Sequence, residues 1–366
     1  MADKVLMAMS GGIDSSVASI LLMREGYDLV GVTFTAFDIT NDEGSKVCGN
    51  LNAANDAKNL AKQLGFEHHV LDVRKEFKDI VISDFVEEYL NGRTPNPCAL
   101  CNFTIKWGLL LKLADKLNCK YIATGHYANI VNEKNRYFLK KGIDQAKDQT
   151  YFLWRLSQEQ LSRTIFPLGN LKKQDVREIA SENGFKILSE KKESQEICFI
   201  PDNDYRKFLS ENVENISIYG KEGNFVDTNG RILGKHIGLY NYTIGQRRGL
   251  GIALGTPMYV IRLDKERNEV ILGSKEELFG TEVIASQINL MKYENIEDGN
   301  EFQTRVRYRS KSSLAKFKNL ENGKLLIEFF EPVESITPGQ SVVFYENDNL
   351  IGGGIIESAG YFCELL

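Results

Sequence analysis

The sequence predicts an α/β chain: a doubly wound parallel sheet at the front, then a small central β-rich domain and a C-terminal β-barrel. Three observations carry this. Short β-rich runs alternate with helical periodicity as far as about residue 127. Beyond about Tyr205 that periodicity fades into short strands punctuated by Gly and Asn. The length, 366 residues, calls for two or three domains. We place them at 1–205, 206–277 and 278–366. Hydrophobic residues are 42% and charged residues 26%, with 7 Pro, which excludes a disordered or collagen-like chain. No uncharged apolar stretch approaches the ~18 residues of a membrane span, so membrane functions are set aside. Six cysteines are too sparse for a disulfide framework and no secretory signal precedes them, so a cytoplasmic protein is expected. With net charge −5, a nucleic-acid partner must be held by a local basic face.

The front strands are read at residues 5–9, 29–37, 68–73 and 121–124. Between the first two, Ile13, Val17, Ile20 and Leu21 recur at helical spacing and Gly26 follows as a stop. Ala54, Ala57, Leu60, Ala61 and Leu64 repeat the pattern before Gly65. A further helix is expected from Thr104 to Leu117, with Ile105, Leu109, Leu113 and Leu117 on one face. Further on, strands are expected at 256–263 and 270–273, then at 302–308, 324–330, 341–345 and 350–357, the last four closing a small antiparallel barrel.

The sharpest local signal is Ser10-Gly11-Gly12-Ile13-Asp14-Ser15-Ser16, between the first strand and the first helix. Paired glycines let the backbone approach an anion, and the free amides and dipole of a helix start favour one. Neither Gly-Lys-Ser/Thr nor G-x-G-x-x-G is present, so the cradle is not of the Walker or dinucleotide type. The plainer alternative is a strand-to-helix turn with Ser and Asp as caps. Thr94-Pro95-Asn96-Pro97-Cys98-Ala99-Leu100-Cys101-Asn102 reads as a proline-stiffened loop ahead of the Thr104 helix, where a thiol could be acidified. Cys198 follows in Ser194-Gln195-Glu196-Ile197-Cys198-Phe199-Ile200. Cys48, Cys119 and Cys363 read as small core residues. Half a zinc site lacks its other half. Three thiolates, Cys98, Cys101 and Cys198, could instead hold an iron–sulfur cluster with one open iron.

Taken together, S-G-G-x-D-S, T-P-N-P-x-x-x-C-N, A-T-G-H-Y at 123–127, A-K-D-Q-T-Y-F-L at 146–153 and I-C-F-I resemble the tRNA-specific 2-thiouridylases of the MnmA type, within the PP-loop ATP pyrophosphatase superfamily, whose adenine nucleotide hydrolase-like fold is then expected for the front domain. The likeness continues through Y-T-I-G-Q-R-R-G-L-G at 242–251, Arg307-Tyr308-Arg309 and Thr337-Pro338-Gly339-Gln340, so it spans nearly the whole chain. It implies a tRNA-uridine 2-sulfurtransferase: ATP, with Mg²⁺, activates C2 of the wobble uridine as an adenylate, and sulfur from a cysteine persulfide, or by way of a [4Fe-4S] cluster, displaces AMP. By this resemblance Cys198 carries the persulfide, and Cys101 attacks it or closes a disulfide with it. Ala8, Met9, Ser10, Gly11, Gly12, Ile13, Asp14, Ser15, Phe34 and Gly125 would line the ATP site. Asn96, Pro97, Cys98, His126, Lys147, Asp148, Gln149, Arg307, Tyr308 and Gln340 would contact tRNA or the target base. The implied partners are tRNAs of the Lys, Glu and Gln acceptors and a cysteine desulfurase or sulfur-relay protein, and both later domains would touch tRNA. Independently of the resemblance, Arg305, Arg307 and Arg309 recur at period two, which on a strand puts them on one face suited to phosphates.

Two departures matter. Cys98 stands where many members have Asp, and Phe34 where a Met is common. Two other classes remain to be told apart: a PP-loop amidotransferase or ligase, which needs no reactive thiol pair, and an RNA-binding protein without turnover, in which Cys198→Ser would be harmless.

Overall fold

The computed structural model describes residues 2–40, 46–48, 51–185, 197–200, 202–253 and 255–361. Val5, Leu6 and Met7 are fully buried, as a strand covered on both faces requires. Their strand, Lys4–Ala8, is the centre of a five-stranded parallel sheet. On one side lie Asp28–Thr35 and then Glu67–Asp72; on the other lie Tyr121–Ala123 and then Thr164–Ile165. The chain therefore winds outward in one direction, returns, and winds in the other. The switch falls between Lys4–Ala8 and Tyr121–Ala123, and in open α/β sheets ligands bind beyond the carboxyl ends of strands at such a point. The helix Ile13–Arg24 leaves the first strand there.

The helix expected to begin near Thr104 begins earlier. Pro97–Cys101 is helical, Asn102–Trp107 continues as a π-helix and Gly108–Lys116 as an α-helix. Pro97 reads as a breaker in sequence, yet at the first helical position its fixed φ suits the helix and its missing N–H costs nothing. The Asn96 side chain caps that end by accepting from Ala99 N at 3.3 Å.

The last part of the chain closes a six-stranded antiparallel barrel. Its order is Phe279–Leu290, Leu325–Glu334, Ser313–Asn319, Glu301–Arg305, Ser341–Glu346 and Asn349–Tyr361, which pairs back onto Phe279–Leu290. Phe302, Phe317, Ile327 and Phe344 fill it. The Glu301–Arg305 strand stops short of the expected arginine face. Residues 307–310 turn, with Arg307 N donating to Ser310 Oγ and Ser310 Oγ to Arg307 O, so Arg307 and Arg309 do not share a strand face with Arg305. A middle sheet of four strands, ordered Ile232–His236, Gly223–Asp227, Glu269–Gly273 and Tyr259–Asp264, packs around Phe225, Val260 and Leu272.

One hairpin, Ala128–Glu133 with Arg136–Lys141, extends from the front of the chain onto the barrel sheet through Asn349 beside Lys140. The cores merge at the same place, where Tyr151, Leu153 and Trp154 pack with Val343, Tyr345 and Leu350. Among the described residues no helix is long and apolar enough to cross a membrane.

Candidate active site

The turn after the first strand has the tight geometry that its two glycines require. Gly11 has φ +67°, and a Cβ there would stand 2.5 Å from Ala53 O, so no other residue fits without moving backbone. Ser15 Oγ accepts from Ser10 N at 3.2 Å and donates to Gly12 O at 3.1 Å, while Ser16 Oγ donates to Gly12 O at 2.9 Å. Ser10 is exposed at the mouth; Met9 and Ile13 are core residues that anchor the loop, and Ala8 ends the strand half-buried. Phe34 sits half-buried at the carboxyl end of Asp28–Thr35. The opposite wall comes from the strand Tyr121–Ala123: a Cβ on Gly125 would meet Asp14 C and Ser15 N at 2.9 Å, so backbone packs directly against the helix start. The serine-glycine loop and Gly125 thus meet at the switch point, and at both Gly11 and Gly125 a side chain would collide with backbone.

Two residues missed in the sequence join them. Lys173 Nζ donates to both Asp14 oxygens, at 2.7 and 2.8 Å, and Tyr127 OH donates to Asp14 Oδ1 at 2.7 Å. Tyr127 is itself fixed by Gln149, which accepts from Tyr127 N through Oε1 and donates its own N–H to Tyr127 O.

The thiols lie at the same edge. Cys98 and Cys198 keep exposed surface and Cys101 is half-buried, and Cys101 packs with Ile197 and Phe199 on either side of Cys198. Burial pushes each thiol up, Cys198 to about 12, which reverses the acidification expected from a helix start. The remaining shifts locate them. Cys98 and Cys101 both raise Cys198, and the Lys106 ammonium partly offsets burial at all three thiols. Lys106 also acts on His126, whose imidazole burial pushes down to about 3. That histidine is neutral at physiological pH, packed between Trp107 and Phe166 with Nδ1 2.7 Å from Thr124 Oγ1. Lys106 thus acts on the three thiols and on His126, whose neighbour Gly125 packs against the start of the first helix.

The three thiols are neighbours without being a ligand set: among the described residues no three His, Cys, Asp or Glu side chains stand together as an ion would need. Cys119 is buried as expected; Cys363, the side chain of Cys48 and Ser194-Gln195-Glu196 lie outside the described residues.

Several residues expected to touch tRNA also make bonds within the protein. Asn96 Nδ2 donates to Ser341 Oγ at 3.0 Å, which also accepts from Trp154 Nε1 at 2.9 Å. Gln340 Nε2 donates to Thr94 O at 3.1 Å and Pro95 O at 2.8 Å, and Thr94 N donates to Pro338 O at 2.9 Å. The two proline motifs, T-P-N-P and T-P-G-Q, thus clamp the cysteine helix to the barrel, with Pro97 buried at the joint. Arg307 Nη2 donates to Ile244 O at 2.9 Å and to Thr337 Oγ1, bracing the middle sheet against the barrel. Asp148 is buried, accepts from Thr150 and stands 4.0 Å from Arg305; burial raises its carboxyl above the usual range. Tyr308 OH donates to Asp148 O at 3.3 Å and its ring packs on Phe152, while Lys147 is half-buried one residue earlier. Asn96→Ala removes both a helix cap and a clamp bond, and is expected to cost about 1–2 kcal/mol of unfolding free energy in a denaturant titration.

Comparison with known proteins follows the same layout. A family model described as "tRNA methyl transferase HUP domain" matches residues 3–202, a "tRNA methyl transferase PRC-barrel domain" matches 206–274 and an "Aminomethyltransferase beta-barrel domain" matches 280–356. The tRNA-specific 2-thiouridylase of Amoebophilus asiaticus is 50% identical over 97% of this chain and 96% of its own. That of Cytophaga hutchinsonii is 48% identical over 97% and 98%, and that of Natranaerobius thermophilus 48% over 98% of each. With such identity sustained from end to end, the chain belongs to the family of tRNA-specific 2-thiouridylases.

Proposed function

We infer that the protein is an ATP-dependent tRNA-uridine 2-sulfurtransferase. What supports this reading beyond family membership is that Cys101 packs with Ile197 and Phe199, the neighbours of Cys198, while Cys98 and Cys101 both act on the Cys198 thiol. Methyl transfer, named in the family models' descriptions, would leave that arrangement without a task.

The carbonyl oxygen at C2 of a uridine is a poor leaving group. Bound at the loop through Ser10, Gly11, Gly12 and Ser15, ATP presents its α-phosphorus to that oxygen; the new P–O bond forms as pyrophosphate departs with the electron pair of the old one. The terminal sulfur of a Cys198 persulfide then adds to C2. Cys101 attacks the inner sulfur, the S–S bond to the transferred sulfur breaks, and AMP leaves with the former carbonyl oxygen. The products are 2-thiouridine and a Cys101–Cys198 disulfide, which an external thiol must reduce before the next cycle. Cys98 adjoins both thiols and supplies no carboxylate for proton transfer. A Mg²⁺ ion accompanying ATP would be held chiefly by the phosphates, since Asp14 is engaged by Lys173 and Tyr127. The sulfur arrives from a cysteine desulfurase or relay protein at the exposed edge of Cys198. Wobble-uridine tRNAs of the Lys, Glu and Gln acceptors are the proposed substrates, placed in the soluble cytoplasm. The three family-model segments supply the proposed ATP-binding, central and barrel units.

Purified protein given ATP, Mg²⁺, a persulfide donor and unmodified tRNA is expected to yield 2-thiouridine at the wobble position by nucleoside mass spectrometry. ATP hydrolysis without thiolated product would contradict this. Affinity for tRNA should fall with salt as phosphate contacts release counterions. Arg307→Ala should weaken it about tenfold with the salt slope kept, because that guanidinium braces Ile244 and Thr337; a slope shallower by about one would make it a phosphate ligand instead.

A further inference from the structure

Cys98 has no task in the sulfur transfer, yet it stands beside both thiols that do. It shares the short helix Pro97–Cys101 with Cys101, and residues three apart on a helix lie on the same face. The chain returns to that helix far along its length: Cys101 packs in one apolar cluster with Ile197 and Phe199, the neighbours of Cys198 on either side. The Cys98 thiol acts on Cys198 more strongly than the Cys101 thiol does, so the three sulfurs form a group and not a pair with a bystander. The Lys106 ammonium favours the anionic form of all three, which is the form that attacks and the form that leaves in disulfide exchange. The backbone allows the exchange as well. Cβ atoms three residues apart on an α-helix are ~5–6 Å from each other, and a disulfide needs ~3.5–4.5 Å. A 3₁₀ turn, common at helix starts, brings such residues into line. Here the helix is only 5 residues long and passes directly into the π-helix Asn102–Trp107, so no run of further α-turns holds its first turn open.

We propose that Cys98 is a resolving thiol, which moves the disulfide off Cys198 once sulfur has been transferred. This rests on the persulfide reading above and adds a step to it. The Cys98 thiolate attacks Sγ of Cys101 in the Cys101–Cys198 disulfide. A Cys98–Cys101 bond forms, the bond to Cys198 breaks, and its electron pair leaves on the Cys198 sulfur, which takes up the proton that Cys98 gave up. One disulfide replaces another, so nothing is oxidised or reduced overall. The sulfur carrier is thereby free to accept its next sulfur before any reductant acts. The disulfide left behind joins exposed Cys98 to half-buried Cys101. An external dithiol attacks it at Cys98 and expels Cys101 as thiolate; its second thiol then expels Cys98, and the dithiol departs oxidised to its own disulfide.

The full chain, loaded once by a persulfide donor and then freed of it, is given ATP, Mg²⁺ and unmodified tRNA without oxygen or reductant. The turnover is quenched in acid, free thiols are alkylated, and disulfides are mapped by peptide mass spectrometry. The expected product is one Cys98–Cys101 disulfide for each 2-thiouridine, with Cys198 alkylated. A stable disulfide that retains Cys198, with either partner, would overturn the proposal. So would a Cys98–Cys101 disulfide equally abundant when ATP is left out, which is stray oxidation. Cys98→Ser should strand the Cys101–Cys198 disulfide; when donor is supplied again without reductant, its Cys198 should reload at least about tenfold less than wild type for each 2-thiouridine already formed. Equal reloading would count against the resolving role, and the wild-type map decides the matter should the variant fail to fold. Thiolated tRNA beside three free cysteines would sink the persulfide reading itself, a different result from any of these.

Discussion

Cys198→Ser is expected to reduce thiolation to background while ATP binding and tRNA binding stay at wild-type levels. The reason is chemical: serine cannot carry a sulfane sulfur, so the adenylate forms and then has no sulfur nucleophile. Cys101→Ser should fail at the following step, leaving sulfur bound to both Cys198 and the base. Because the two thiols act in one transfer, the double variant should lose no more than either single one. A single-turnover assay with mass spectrometry of protein and nucleoside distinguishes these states. Normal thiolation by the Cys198 variant would remove the catalytic assignment and favour an RNA-binding protein without turnover.

The second large effect is in pH. Burial holds the Cys198 thiol near pH 12, and Cys98 and Cys101 are also pushed above the ordinary thiol range. The thiolate is the reactive form. Alkylation of Cys198 by iodoacetamide should therefore rise about tenfold per pH unit from pH 7 to pH 10, with no plateau. A plateau below pH 8 would mean an acidified thiol and contradict that burial. Stability follows with the opposite sign. Unfolded thiols ionise near 9.0 while the folded ones do not, so the contribution is whole below that pH and is lost as pH climbs from 9 toward 12. In the proposed cycle the resting thiols are thus protected, and nucleophilicity comes with the persulfide, more acidic than the thiol that bears it.

Much of this was legible because the signals were local. Ser10-Gly11-Gly12 announces a turn that only glycine completes, and the structure returns φ +67° at Gly11 with Ala53 against it. The central strands of the parallel sheet read as apolar runs because both of their faces are covered. The cysteine helix was read too short because Pro97 breaks a helix anywhere except where it stands. The hairpin 128–141 was missed because its turn is Lys134-Asn135, at φ +51° and +61°, where Asn-Gly is the usual sign. The arginine face was expected from period two, which assumes a strand that in fact ends at Arg305. Lys173 and the T-P-N-P to T-P-G-Q clamp are long-range, and no periodicity within one segment reports which distant segment it meets. For the same reason the internal bonds of Asn96, Gln149, Arg307 and Gln340, residues expected to contact tRNA, could not be read from the sequence.

The proposed reaction is one exchange at one carbon, in which activated oxygen leaves and sulfur takes its place. Transfer RNA carrying ¹⁸O at C2 of the wobble uridine follows that oxygen through a single turnover. The prediction is AMP bearing one ¹⁸O on its phosphate for every 2-thiouridine formed. Unlabelled AMP alongside thiolated tRNA would mean that ATP never activates the base, and would contradict the account at its centre.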